Sequence, residues 1–386
     1  MRSLVFLVVG IKAFDNSTCN FEENNERLLL RESSLDPADL GRWVRVRGHW
    51  PNLPGSNSSS MPIAISPPVS SRFPLVMEAT RNDQSITKFG IEARRVLDRE
   101  LSKCGTVLFR GLPVKSGEQF SEFVQALGYE PITLAGGGTA RSQVAKYVRT
   151  ASDEPHSHVI EPHQDMAHNP QHPLKLAFFM IQAPPADQPD AGGETILTNI
   201  RDLTEQMHRQ GIIDEFEQKG GVLYQKTLWD LRQNPETSFS WQQRFFADNI
   251  SQVEVTLRNL PKTIWHWDYK KNTLHYEHVL PATRPHYQTQ ESIFFNGIHT
   301  NHRDYFDLAP HIDTTLGSPY DTAFGNGSPI PTNLLDQIRG AWWQNSIALS
   351  LQPGDIAIVD NYLTGHGRMP WKPHVQRKML ISHLVS

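Results

Sequence analysis

The chain has 386 residues, 38% of them hydrophobic with 18 Phe, and a formal net charge of -4 at pH 7, enough apolar material for a large core and too much for a disordered chain. Lys and Arg are scattered, which excludes an electrostatic footprint for nucleic acid or an anionic membrane and leaves a small-molecule partner as the expectation. Two cysteines, Cys19 and Cys104, give neither a disulfide framework nor paired zinc-ligand spacing, so a reducing, cytoplasmic setting is favoured.

From the N-terminus, the apolar run Leu4 to Ile11 is too short to span a bilayer and reads as an apolar start or a signal-peptide core without a convincing cleavage site. Clusters such as LPGSNSSSMP and SPPVSSRFP mark residues 1–85 as an irregular extension ahead of a folded domain over 86–386. Apolar residues at helical spacing (Ile86, Phe89, Ala93, Val96, Leu97, Leu101) predict a helix that Gly105 ends. GTVLFRG follows as a buried strand, and Phe120, Phe123 and Val124 share one face of a helix over about 116–127. Beyond Gly128 short β-rich runs (KLAFFMIQ, ETILTN, TIWHW, TLHYEHV, SIFFN, SIALSL, DIAIVDN) alternate with Pro, Gly, Asn and Asp. They predict an antiparallel sandwich or barrel, decorated by helices near 200–219, 240–251 and 331–345.

An iron(II) site that activates dioxygen commonly takes two His and one carboxylate on one face of an octahedron, leaving adjacent positions open. The sequence form, His-x-Asp with a distant His, is weak by itself, because the chain has 17 His and four such tripeptides: His163–Asp165, His266–Asp268, His302–Asp304 and His311–Asp313. His163-Gln164-Asp165 leads through NPQHP into KLAFFMIQ, at the mouth of the β-core. His266 alternates with Trp265 and Trp267 on a plain strand, and His302 lies in a polar run beside Arg303. His311–Asp313 stays a competitor for the same distal histidine, although no β-run follows to fix it.

That distal histidine is His366, just past the strand DIAIVDN in PGDIAIVDNYLTGHGR. Arg377 opens the strand RKMLISHLV, where a guanidinium can fork onto a carboxylate as lysine cannot. In Gly192-Gly193-Glu194-Thr195 the glycines permit close backbone approach, and Thr195 offers a hydroxyl.

Over roughly residues 86–386 these motifs, with YVRTASDEPHSHVIEPHQD, LAFFMIQAPP, FFN and FGNGSPIP, resemble the TauD/TfdA-like iron(II), 2-oxoglutarate dioxygenases, in particular the syringomycin-biosynthesis-type and clavaminate synthase-like branch. The resemblance implies a double-stranded β-helix (jelly-roll) with helices, Fe(II) held by His163, Asp165 and His366, and 2-oxoglutarate anchored by Arg377 with Thr195. It further implies O2 as co-substrate, release of succinate and CO2, and hydroxylation rather than halogenation, because Asp165 fills the position that related halogenases leave for chloride. Many members of the branch carry Glu at the position of Asp165, an equally hard oxygen ligand. The sulfonate-binding arginine of taurine dioxygenase is replaced by Ile381, so sulfonates are poor candidates.

Candidate substrate residues are His156, His158, Phe295, Asn296 and Arg368, the last suggesting an amino-acid-like or carboxylate-bearing small molecule. On the residues alone two other classes stay open, a zinc hydrolase on the same triad and a non-catalytic β-sandwich binding module. Arg377 argues against the hydrolase, and turnover would separate an oxygenase from a binder. Nothing in the sequence fixes an oligomeric state.

Overall fold

A strand whose interior is apolar at every position needs cover on both faces, and Lys175–Gln182, apolar from Leu176 to Ile181, has it. In the computed structural model, which describes residues 28–33, 40–68, 72–132, 141–185, 187–188, 190–235 and 239–385, its Ala177 and Phe179 pack with Phe89, Val96 and Leu97 of the helix Ile86–Cys104 and Phe120 and Phe123 of the helix Gly117–Leu127. Leu176, Phe178 and Met180 point the other way, into a core shared with Leu197, Leu349, Ala357, Val359, Met379 and Ile381. Period-two alternation thus assigns successive residues of one strand to two cores.

This strand is central in a nine-stranded sheet that runs Leu30–Glu32, Leu75–Ala79, Thr106–Arg110, Ile356–Asp360, Lys175–Gln182, Lys378–Val385, Val148–Thr150, Gln143–Ala145, with Glu130–Pro131 also on Lys378–Val385. Pairing is antiparallel except between Leu75–Ala79 and Thr106–Arg110. A four-stranded sheet, in the order Ser346–Leu349, Thr195–Asn199, Thr364–Arg368, Ile160–His163, covers its inner face. The result is the mainly β, helix-decorated jelly-roll expected above. A further sheet (Thr263–Asp268, Thr273–Leu280, Val222–Leu228, Tyr320–Phe324) builds out from one end.

The helix signals act as local chemistry requires. Ser85 caps Ile86–Cys104 by accepting from Lys88 N, and Gly105 closes it in the left-handed conformation at φ 71°. The helical stretch expected over 200–219 divides into Ile200–Arg209 and Ile212–Gln218 at Gly211. The stretch expected over 240–251 likewise becomes Trp241–Phe245 and Ile250–Arg258.

Much of the segment read as irregular extension is part of this fabric. Leu75–Ala79 is a strand of the large sheet, and Val44, Val46, Leu53, Met61 and Ile65 bury against Ile196, Trp343, Ala348 and Met369. The turn residues there do make turns, but the few apolar side chains between them find partners some 300 residues away along the chain, which local composition does not encode. The run Leu4 to Ile11 and Cys19 lie outside the described residues. Among the described residues no helix is long and apolar enough to cross a membrane.

Several histidines are buried in their neutral form. Burial pushes His158 and His172 down to about 4, and His278 and His299 down to about 3. Unfolded histidine titrates near 6.5, so between that pH and the folded values the unfolded chain binds more protons than the native one. The stability is therefore present above pH 6.5 and lost as the pH falls through this window, by on the order of 1 to 2 kcal/mol per histidine at pH 5. Urea unfolding at pH 7.5 and pH 5.0 should show a clearly lower midpoint at pH 5.0 with an unchanged slope; equal midpoints would mean that these rings are protonated in the native state.

Candidate active site

Ile160–His163 and Thr364–Arg368 pair with His163 opposite His366, and the two imidazole centroids lie 4.5 Å apart at 48°. The close approach depends on Gly367, where an added Cβ would fall 2.6 Å from Ile160 O and 2.9 Å from Pro162 N. Behind the strand, the His299 ring donates to Pro162 O (2.9 Å), and Arg339 donates to His299 O (3.1 Å) and meets the buried Glu161 at 3.4 Å. This network holds the His163 strand from its far side.

The protonation states suit a metal. His163 Nδ1 donates to Glu161 O at 2.8 Å, leaving a lone pair on Nε2. Neither nitrogen of His366 has a hydrogen-bond partner among the described residues, and its Nδ1 is buried. Burial lowers the pKa of His163, and that of His366 well below its usual value, so both rings are neutral at pH 7.

Asp165 is fixed by a two-way bond with Asn361, donating from its N (2.8 Å) and accepting at its O (2.9 Å). Its Oδ2 accepts from Arg141 Nη2 at 2.9 Å and from His383 Nε2 at 2.8 Å. Burial alone would raise this carboxyl, but Arg141 and then His383 outweigh it and hold the group ionised.

Two neutral imidazoles and one carboxylate form the donor set of a divalent transition metal, and an ion would satisfy the orphaned His366 ring. Among the described residues, however, the trio of possible ligands whose atoms all lie within 4.8 Å of one another is Glu154, His158 and His311. Asp165 is outside that trio, its carboxylate engaged by Arg141 and His383.

The imidazoles open onto a cavity of about 140 Å³, also lined by Phe178, Thr195, Arg368, Trp371 and Arg377. Arg377 donates from Nε to Gly193 O (2.7 Å) and from Nη2 to Thr195 Oγ1 (3.0 Å), with Trp371 beneath its guanidinium at 5.7 Å. Gly193 makes room for it, since a Cβ there would come within 3.0 Å of Arg377 Cδ at a backbone φ of 83°. Burial, and secondarily Arg368, lowers the Arg377 pKa to about 9, so it stays charged at neutral pH. Glu194, which acts on it electrostatically, pairs with Arg42 at 2.9 Å, while Asp355 is held by Arg110 and Asp360 by His286 and Tyr287.

Of the substrate candidates, only Arg368 lines this cavity. Its Nη atoms hold the carbonyls of Glu154, Pro155 and His158, and its guanidinium lies over Trp371 at 4.6 Å. His156 braces Trp371 by donating to its O at 3.0 Å, and His158 turns to Tyr305 Oη at 3.1 Å. Phe295 stacks on Tyr362 in the core (4.2 Å, 17°), and Asn296 donates to Ala282 O at 2.9 Å. These last two are structural.

The competing tripeptides also find their places. His266 stacks on His275 on the outer sheet (4.8 Å, 14°), and His302 caps the helix Arg303–Asp307. His311 meets Glu154, and the exposed Asp313 accepts from Thr315 N. Arg141, Asn361, Trp371 and His383 were missed in the sequence. His383 left a trace, because alternation from Arg377 through Met379 and Ile381 puts it on the inward face of Lys378–Val385; Arg141 lies in a segment without periodicity.

With this geometry in place, the family model for the taurine catabolism dioxygenase TauD, TfdA family matches residues 82–382. The chain belongs to the TauD/TfdA family. It is an Fe(II)- and 2-oxoglutarate-dependent dioxygenase, an oxidoreductase that uses O2, and the zinc-hydrolase and binding-module readings fall away. It is 30% identical over 308 residues to the dapdiamide synthesis protein DdaC of Enterobacter agglomerans, covering 77% of this chain and 87% of that one. A clavaminate synthase-like protein of Arabidopsis thaliana is 26% identical over 337 residues, covering 84% and 94%. Among solved structures, PvcB from Pseudomonas aeruginosa is similar at 13% identity and a TM-score of 0.46, covering 92% and 95%.

Gly367→Ala tests the strand approach this site requires. The methyl group has backbone on two sides, so we expect a loss of about 2 to 3 kcal/mol in urea unfolding together with weakened Fe(II) binding. Wild-type stability and affinity would show that the strands do not need to lie this close.

Proposed function

We propose that His163, Asp165 and His366 hold the iron(II), that Arg377 with Thr195 anchors the far carboxylate of 2-oxoglutarate, and that the enzyme hydroxylates a small amino-acid-like or carboxylate-bearing substrate. Bound there, iron(II) with 2-oxoglutarate and O2 supplies the oxidising power to insert oxygen into a C–H bond, with succinate and CO2 as co-products. The chain's own residues supply geometry. Glu161 O fixes the His163 tautomer, Asn361 fixes the backbone of Asp165, and Arg141 and His383 keep that carboxylate ionised before an ion arrives.

The observation that carries this reading is Arg377. A half-buried guanidinium with no ion-pair carboxylate among the described residues shares one cavity with both imidazoles. Nε and one Nη2 hydrogen are committed to Gly193 and Thr195, which leaves Nη1 for a carboxylate. Trp371 and Phe178 give the cavity apolar walls that limit water.

The substrate class follows from charge. Arg141, Arg368, Arg377 and Lys378 line the cavity, and Asp165 beside them accounts for one negative charge, so an anionic substrate is favoured even after 2-oxoglutarate takes its place. Similarity to a dapdiamide synthesis protein supports a small biosynthetic molecule.

Succinate release from 2-oxoglutarate with ferrous iron and ascorbate under air tests the assignment. Asp165→Ala should lower turnover at least ~100-fold, and Arg377→Lys should raise the KM for 2-oxoglutarate about 10-fold or more, since an ammonium cannot fork onto a carboxylate. Wild-type kinetics in either variant would remove that residue from its role. A panel of amino acids and small carboxylates should contain compounds that stimulate succinate release, whereas stimulation confined to neutral or cationic compounds would contradict the substrate class.

A further inference from the structure

Away from the iron cavity, the chain gathers a second set of metal-ligating side chains. Glu154 and His158 flank a tight turn closed by His158 N donating to Pro155 O at 3.1 Å. Across from it, His311 sits on a turn in which Ile312 N donates to Ala309 O at 3.0 Å. His311 Nε2 touches Glu154 Oε2, and the His158 and His311 rings meet edge to face with centroids 4.7 Å apart. One ligand atom from each of the three lies within 4.8 Å of the other two.

We propose that Glu154, His158 and His311 form a second metal site, one that binds zinc(II). Two imidazoles and a carboxylate are a zinc donor set, with a fourth position left for water. The polar atoms are underused without an ion. His158 is 2% exposed and its Nδ1 is buried with no hydrogen-bond partner. Its Nε2 is engaged by Tyr305 Oη at 3.1 Å, so in the tautomer that donates there Nδ1 carries the free lone pair. His311 Nδ1 is likewise buried without a hydrogen-bond partner, while His311 Nε2 and Glu154 Oε2 have only each other. Two imidazoles, each with a buried and unpartnered nitrogen, beside a carboxylate are costly as they stand, and one cation would satisfy the cluster together.

The ion has a structural consequence. Arg368 holds the carbonyls of Glu154, Pro155 and His158 from the cavity side. A cation on the opposite side of the turn would tie it to the 309–312 segment and so pin the stretch that leads into Ile160–His163. This site shares no ligand with the proposed iron site, so each can fail without the other.

Cobalt(II), a visible spectroscopic substitute for zinc, is the probe. Equilibrium dialysis of the full chain should give about two cobalt ions in the wild type and about one in His163→Ala/His366→Ala, the remaining ion showing intense tetrahedral absorption that zinc bleaches stoichiometrically. In the wild-type background, His311→Ala and Glu154→Gln should each lower the count to about one and abolish that absorption. The two variants lie on different turns, so if one fails to fold the other gives the same readout. A single cobalt in the wild type, no cobalt in the double variant, or the tetrahedral band surviving in either folded variant overturns the proposal.

Discussion

The pairing of two short strands, Ile160–His163 and Thr364–Arg368, is the constraint on which the site depends. It sets two histidines, some two hundred residues apart in the chain, face to face at 4.5 Å. Each surrounding feature serves that approach. Gly367 removes the side chain that would hold the strands apart, the Glu161–Arg339–His299 network supports the far side, and Phe178 packs against the His366 ring at 5.0 Å. Packed cores on both faces of the large sheet back this frame and hold the two rings in place.

Electrostatics divides the cavity into a satisfied part and an unsatisfied one. Asp165, though buried, is compensated by Arg141 and His383. Arg377 has hydrogen bonds only to Gly193 and Thr195 and no ion-pair partner among the described residues, with Glu194 acting on it from beyond contact. A half-buried charge without an ion-pair partner is costly, and a carboxylate that paired with it would recover part of the cost. Thr195 and Gly193 thus orient the guanidinium in the folded chain, as the proposed anchoring of the co-substrate needs.

Much of the frame was legible in the sequence because its signals are local. Helical spacing closed by Gly105 marked Ile86–Cys104, and the unbroken apolar run KLAFFMIQ marked a strand covered on both sides. The setting of the two tripeptides was also legible, since a strand follows His163 and an irregular turn follows His311. What local pattern could not carry was long-range partnership. Val44, Leu53 and Met61 bury against residues near 343–369, and Arg141 reaches Asp165 from a segment with no period. Phe295 and Asn296 lay near the right motifs but face the core, because position along the chain does not say which side of a sheet is concave. The Glu154–His158–His311 cluster was hidden for the same reason, since His311 lies about 150 residues along the chain from the other two.

Anomalous diffraction at the iron edge, from crystals grown without oxygen in ferrous iron and 2-oxoglutarate, tests the central claim most directly. The account requires a single strong iron peak between the imidazoles of His163 and His366, with the Asp165 carboxylate bound and a dicarboxylate reaching Arg377. Iron found instead among Glu154, His158 and His311, with nothing between the paired strands, would contradict it.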